Sequence, residues 1–124
     1  MTTYSQEVGR FKFDISYRRM RGDQGLSIRV SGPVANETRE LLRFDCFDNR
    51  PHYHVEVYGK NEITAIDDND ATEWSLRFLT ERFEGLVDSA GADKLNLEER
   101  DTLESALSQV SENSRNLVTA ERAA

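Results

Sequence analysis

Between Phe11 and Val30 apolar and polar side chains alternate with a period of two. That pattern restricts the fold more than any other feature of the chain. Phe11, Phe13, Ile15 and Tyr17 fall on one side, and Lys12, Asp14, Ser16 and Arg18 on the other. A strand sends successive side chains to opposite faces, so this segment reads as a half-buried strand. Gly22 and Gly25 interrupt the alternation and mark a turn. Leu26, Ile28 and Val30 then alternate with Ser27, Arg29 and Ser31, which predicts a second strand in a hairpin with the first. Arg18, Arg19 and Arg21 near the turn read as solvated charge rather than as a phosphate site.

The flanking segments complete an α+β pattern. Residues 1–9 are polar and read as loose. Gly32-Pro33 ends the second strand, since proline cannot donate to a ladder, and Val34 to Arg39 reads as a loop. A third strand is expected near Glu40 to Phe47 and a fourth near His52 to Tyr58. Asp48-Asn49-Arg50-Pro51 connects them with turn-forming residues. Glu62 to Ile66 reads as a short fifth strand. Asp67-Asp68-Asn69-Asp70 resembles a calcium loop at first sight, but it lacks the glycine at loop position six and the glutamate at position twelve. Helix capping accounts for it better: Asp70 is three residues before Glu73. The helix that follows runs to about Ala90, with Trp74, Phe78, Leu79, Phe83, Leu86, Val87 and Ala90 as its apolar stripe. Asn96 with Glu99 caps a second helix carrying Leu103, Ala106, Leu107, Val110 and Leu117. The expected architecture is an antiparallel sheet of four or five strands packed against one long helix, with a second C-terminal helix. Residues 1–110 form a single domain, and 111–124 a polar tail, helical or frayed.

Charge narrows the functional classes. The net charge is −7, but residues 1–60 carry ten Lys and Arg against eight Asp and Glu, while residues 61–124 carry six against fifteen. A nucleic-acid binder is usually basic, so RNA is not favoured as a partner. No apolar run approaches the roughly 20 residues that cross a bilayer, so no membrane association is expected. Met1 to Ser5 carries no apolar signal segment. The single cysteine suits a reducing compartment, and a cytoplasmic location is expected.

Both histidines and the cysteine lie in the third and fourth strands. Matching both apolar faces across the turn puts Phe47 opposite His52, Cys46 opposite Tyr53, Phe44 opposite Val55 and Leu42 opposite Val57. The other face then pairs Asp45 with His54, Arg43 with Glu56 and Leu41 with Tyr58. A slip of one residue would bury histidines and acids, whereas a slip of even length keeps the faces and changes the partners. In this register Cys46 points into the core, away from the histidines.

The polar face supports four readings, of which small-ligand binding is the least specific. Cross-strand ion pairs alone account for it as a structural charge ladder. His52, His54 and Asp45 offer three ligands on one face for a divalent metal such as zinc, iron or manganese. No other cofactor is expected. Arg43, Asp45, His54 and Glu56 offer a metal-free acid–base set: Asp45 orienting His54, Glu56 as base and Arg43 stabilising an anion.

The phrase Leu41-Leu42-Arg43-Phe44-Asp45 followed by Pro51-His52-Tyr53-His54 resembles small prokaryotic proteins of unknown function. More distantly it is similar to the TumE family of toxin–antitoxin proteins. Tyr53 separates the histidines here, where that family tends to have them adjacent. The resemblance implies a toxin–antitoxin or stress-response role carried by Arg43, Asp45, His52 and His54. Two functions are therefore expected of the chain. One is a soluble interaction protein working with a protein partner or as a homo-oligomer. The alternative is a small hydrolytic or RNA-directed enzyme.

Overall fold

The alternation from Phe11 to Val30 becomes the centre of an antiparallel meander. A computed structural model describes residues 3–124. In chain order its elements are β1 (Thr3–Val8), β2 (Phe11–Met20), β3 (Asp23–Val34), β4 (Glu37–Phe47), β5 (His52–Val55), β6 (Glu62–Ala65), α1 (Ala71–Ser89) and α2 (Leu97–Arg122). The strands pair in sequence order in one six-stranded sheet, all antiparallel. The α+β expectation holds, but the sheet has six strands rather than four or five.

The extra strand is β1, read above as loose. Met1 and Thr2 of that stretch lie outside the described residues. Tyr4, Gln6 and Val8 share the face of Phe11, Phe13 and Ile15, because Gln6 pairs with Phe13 and Tyr4 with Ile15. A glutamine where an apolar residue was needed hid the alternation. Gln6 meets α2 through polar contacts instead, with its Nε2 3.5 Å from the Ala106 carbonyl and its Oε1 3.4 Å from Asn113 Nδ2.

β3 also runs further than expected. Pro33 does not end it, and Val34 to Arg39 is not a loop. Pro33 pairs with Thr38 on β4, and the last β2 partner on β3 is Ser31. Proline therefore sits where one side of β3 is already free, and its missing N–H costs no ladder bond. Ala35 and Asn36 make the turn with φ of 49° and 68°. Positive φ at both central residues is what a tight hairpin with the sheet's twist requires.

The register shifts between Val30 and Ser31, which face Leu42 and Glu40. Leu41 is thus an extra residue, a β-bulge. It was expected on the polar face opposite Tyr58, but the bulge turns it into the core beside Leu42, and both are fully buried.

The two helices cover the apolar face. Asp70 caps α1 by accepting from the Glu73 amide at 3.1 Å, and Asn96 and Glu99 form a reciprocal box at the start of α2. Caps of this kind contribute about 1 kcal/mol each. Phe83 of α1 packs on Phe11 and Phe13, with ring centroids 5.2 and 5.6 Å apart, while Trp74 and Phe78 meet Tyr53. Leu107, Val110 and Leu117 of α2 are buried. The segment expected as a polar tail from residue 111 is the last part of α2 as far as Arg122. Its burial of Leu117 anchors it more than its exposed ion pair from Arg122 to Asp48, which is worth little alone. Among the described residues no helix is long and apolar enough to cross a membrane.

Candidate functional site

The opposite face of the sheet carries the polar rows, and its third to fifth strands build the site. Asp45 of β4 lies between Ser27 of β3 and His52 of β5, while Arg43 lies between Arg29 and His54. The hairpin register is therefore two residues away from the one expected. His52 faces Asp45 instead of Phe47, and His54 faces Arg43 instead of Asp45. Because the slip is even, the faces survive. Cys46 is buried on the other side, and His52 and His54 share the face of Asp45 and Arg43.

The slip has a cause outside the hairpin. The connecting turn is tied to the β2–β3 hairpin rather than closed on itself. Asp23 accepts from the amides of Asn49 and Arg50 at 3.0 and 3.1 Å, and Asp48 donates to the Gln24 carbonyl at 3.0 Å. Partial burial pushes the Asp23 carboxyl up, but the amides of Asn49, Gln24, Arg50 and Asp48 outweigh it and hold the group below its ordinary value. Phe47 is held by β3 opposite Gly25, out of reach of direct pairing with His52. A side chain at Gly25 would collide with the Cys46 carbonyl.

Three side chains converge. His52 Nε2 is 3.2 Å and His54 Nε2 3.6 Å from the same oxygen, Asp45 Oδ2. The three ligand atoms lie within 4.8 Å of one another. The carboxylate's other oxygen, Oδ1, accepts from Ser27 Oγ at 2.9 Å. Asp45 and His54 are only 3% and 8% exposed, and Ser27 is fully buried. His52 is more open, with 27% of its side chain exposed.

The outer nitrogens decide what the inner ones present. His52 Nδ1 lies 2.8 Å from the Arg50 carbonyl oxygen, which can only accept, so Nδ1 carries the proton. His54 Nδ1 lies 2.8 Å from Asn61 Oδ1 and is held in the same way. In a neutral ring the other nitrogen then has a lone pair. Both lone pairs point at a carboxylate oxygen that also has only lone pairs to offer. Such a contact is repulsive unless a cation lies between the atoms.

The turn after β5 delivers Asn61. Glu56 leaves the strand with φ 56°, and its carbonyl accepts from the amides of Gly59 and Asn61 at 3.0 and 2.7 Å. Asn61 itself has φ 48°, a left-handed conformation that asparagine tolerates better than most residues.

Of the residues expected to form an acid–base set, Asp45 and His54 come together. Arg43 and Glu56 do not pair. Arg43 binds Glu40 through two nitrogens at 2.9 and 3.0 Å, which holds its guanidinium further toward the charged form. Residues three apart lie on opposite faces of a regular strand, and the Leu41 bulge is what brings Glu40 to the face of Arg43. The Glu56 side chain lies over Gly59 in the turn. Ser27 and Asn61 complete the site and carried no signal in the sequence: one is an ordinary polar strand position and the other an ordinary turn residue. A cleft of about 520 Å³ lies near the β4–β5 turn, lined by Phe47, Pro51, Asp70, Arg115 and Arg122 among others, but neither histidine lines it.

The family model described as Domain of unknown function (DUF7700) matches residues 6–114, and the chain belongs to that family. No curated protein matches the chain. No solved structure matches it.

Proposed function

We propose that this DUF7700 chain is a metal-binding domain that holds a divalent transition metal at Asp45, His52 and His54. The observation that carries the reading is the orientation of the imidazoles. The Arg50 carbonyl and the Asn61 side chain take the Nδ1 protons, so both Nε2 lone pairs converge on Asp45 Oδ2. Metal-ligating histidines are oriented by this kind of outer hydrogen bond, and ligating carboxylates are held as Ser27 holds Asp45. The two nitrogen–oxygen spacings fit as well. Ligands about 2.0–2.2 Å from a tetrahedral ion lie about 3.3 Å from each other. The two nitrogen–oxygen separations, 3.2 and 3.6 Å, bracket that edge. Two nitrogens and one carboxylate oxygen suit zinc, iron or manganese better than calcium or magnesium, which prefer oxygen.

Three protein ligands leave coordination positions open, the arrangement of catalytic rather than structural metal sites. Enzymatic activity, if the chain has it, is on this reading metal-assisted. The metal-free set needs Arg43 and Glu56 beside His54, and Arg43 is taken by Glu40.

Equilibrium dialysis of the full chain against zinc tests the proposal. One equivalent is expected for the wild type, and none above background for His54→Ala. No stoichiometric uptake, or equal uptake by both proteins, overturns it and leaves a proton in place of the metal. A toxin–antitoxin role with a protein partner is a separate proposal that rests on the phrase Leu41 to His54 alone. Co-purification with the product of a neighbouring small gene tests that one.

A further inference from the structure

A metal held by Asp45, His52 and His54 has open coordination positions and charged neighbours on the sheet face. All three ligands rise from adjacent strands, and side chains stand roughly perpendicular to a sheet. A metal bound by them sits above the sheet, with its free positions turned away from it. The buried apolar residues of α1 and α2 belong to the core on the other face, with Phe11, Phe44 and Tyr53.

The rows around the centre are cationic. Arg29 sits diagonally across the ladder from Asp45, two residues along β3 from Ser27. Diagonal neighbours lie about 7–8 Å apart at Cβ, within reach of a long side chain. Arg29 is exposed, and among the described residues it makes no ion pair. Asp14 is its partner on β2, but Asp14 is taken by Ser5 Oγ at 2.6 Å and by Lys12 at 3.8 Å. Arg18 lies over Phe47 at 5.8 Å, and Phe47 lies edge-on to His52 at 6.0 Å. Gly25, with no side chain, stands between Arg18 and Phe47 in the row. Arg18 too makes no ion pair among the described residues. Of the basic residues nearest the centre, only Arg43 is neutralised, by Glu40. A divalent ion with one carboxylate keeps a charge of +1. With Arg29 diagonal to Asp45 and Arg18 beyond Phe47, the charge around this centre is positive on a chain whose net charge is −7.

We propose that the open side of the Asp45–His52–His54 centre takes an oxyanion, a carboxylate or phosphate group that ligates the metal and is clamped by Arg29. The inference rests on the metal reading above and names the ligand of that site. Guanidinium groups match both anions in shape and charge, so the chemistry they share is the proposal, and its source is read from the test.

The experiment uses the full chain loaded with cobalt(II), whose visible spectrum reports its ligands, titrated with inorganic phosphate and, separately, with acetate. At least one anion should change the spectrum saturably. Arg29→Gln should then need about tenfold more anion for half-saturation with cobalt still bound, the loss of one charge-assisted hydrogen bond. Arg29→Lys should recover part of the difference. A response to phosphate alone assigns phosphate groups, and a response to acetate alone assigns carboxylates. No spectral response to either, or equal half-saturation in the wild type and Arg29→Gln, overturns the inference while leaving the metal site standing. A wild type that binds no cobalt overturns both.

Discussion

Replacing Asp45 by Asn reverses an interaction without changing its shape. With no metal bound and the His52 ring neutral, Asp45 Oδ2 faces the His52 Nε2 lone pair at 3.2 Å with no hydrogen between them. In Asp45→Asn the amide nitrogen stands there and can donate. The amide oxygen keeps the bond from Ser27, whose hydroxyl is fully buried and would be costly to orphan. The exchange should stabilise the metal-free variant by about 0.5–1.5 kcal/mol, the net worth of one intramolecular hydrogen bond. At about 4 °C per kcal/mol for a domain of this size, the melting temperature should rise by about 2–6 °C. Zinc inverts the order. At a hundredfold excess over its Kd, zinc stabilises the wild type by about 2.7 kcal/mol, whereas the amide nitrogen, with no lone pair to give, gains far less. The assay is a thermal melt of both proteins in a chelator and then in zinc. The reasoning is refuted if Asp45→Asn melts below the wild type in the chelator and zinc raises both equally. That pair of results would mean a protonated histidine in an ordinary salt bridge.

Three further outcomes follow from the same structure. Asn61→Ala should weaken zinc binding about tenfold with no ligand removed, since it frees the His54 ring from its outer oxygen; isothermal titration measures it, and an unchanged Kd counts against that role. Leu41→Ala should cost about 2–5 kcal/mol in urea unfolding, because the bulge has made Leu41 a core residue; a cost under about 1 kcal/mol, the surface range, argues that it is not one. Burial pushes the Cys46 thiol up to about 12 from an ordinary 9.0. Above pH 9 the unfolded chain gives up this proton while the folded chain keeps it, so the unfolded state binds fewer protons and folding stability falls as pH rises toward 12. Cys46→Ala should flatten that part of the pH–stability curve, and identical slopes in the two proteins contradict the assignment.

How much was legible depended on whether local chemistry or distant contacts decided each feature. The strands at Phe11–Val30 and both helix starts were readable, because alternation and capping are written in adjacent residues. The faces of the β4–β5 hairpin were readable too, since Cys46, Phe44 and Tyr53 must share the core. The partners across it were not. Asp23, on another hairpin, binds the turn amides and shifts the register by two. The bulge at Leu41 follows from the β3–β4 register, which no short window contains. It moved Leu41 into the core and gave Arg43 to Glu40, while the register shift put His54 rather than Glu56 opposite Arg43. β1 was missed because Gln6 occupies a core-face position and is satisfied by a helix a hundred residues away. The grouping of Asp45, His52 and His54 was legible. Its orientation was not, because that depends on the Arg50 carbonyl and on Asn61.

The central claim is that two imidazole lone pairs and one carboxylate oxygen are arranged to hold a cation other than a proton. Anomalous scattering at the zinc edge, from crystals of the full chain grown with equimolar zinc at pH 8, tests it most directly. The account predicts one strong peak about 2.0–2.2 Å from His52 Nε2, His54 Nε2 and Asp45 Oδ2, with the Nδ1 contacts to Arg50 and Asn61 intact. A crystal with no peak between those atoms, and with His52 and Asp45 still in direct contact, would contradict it.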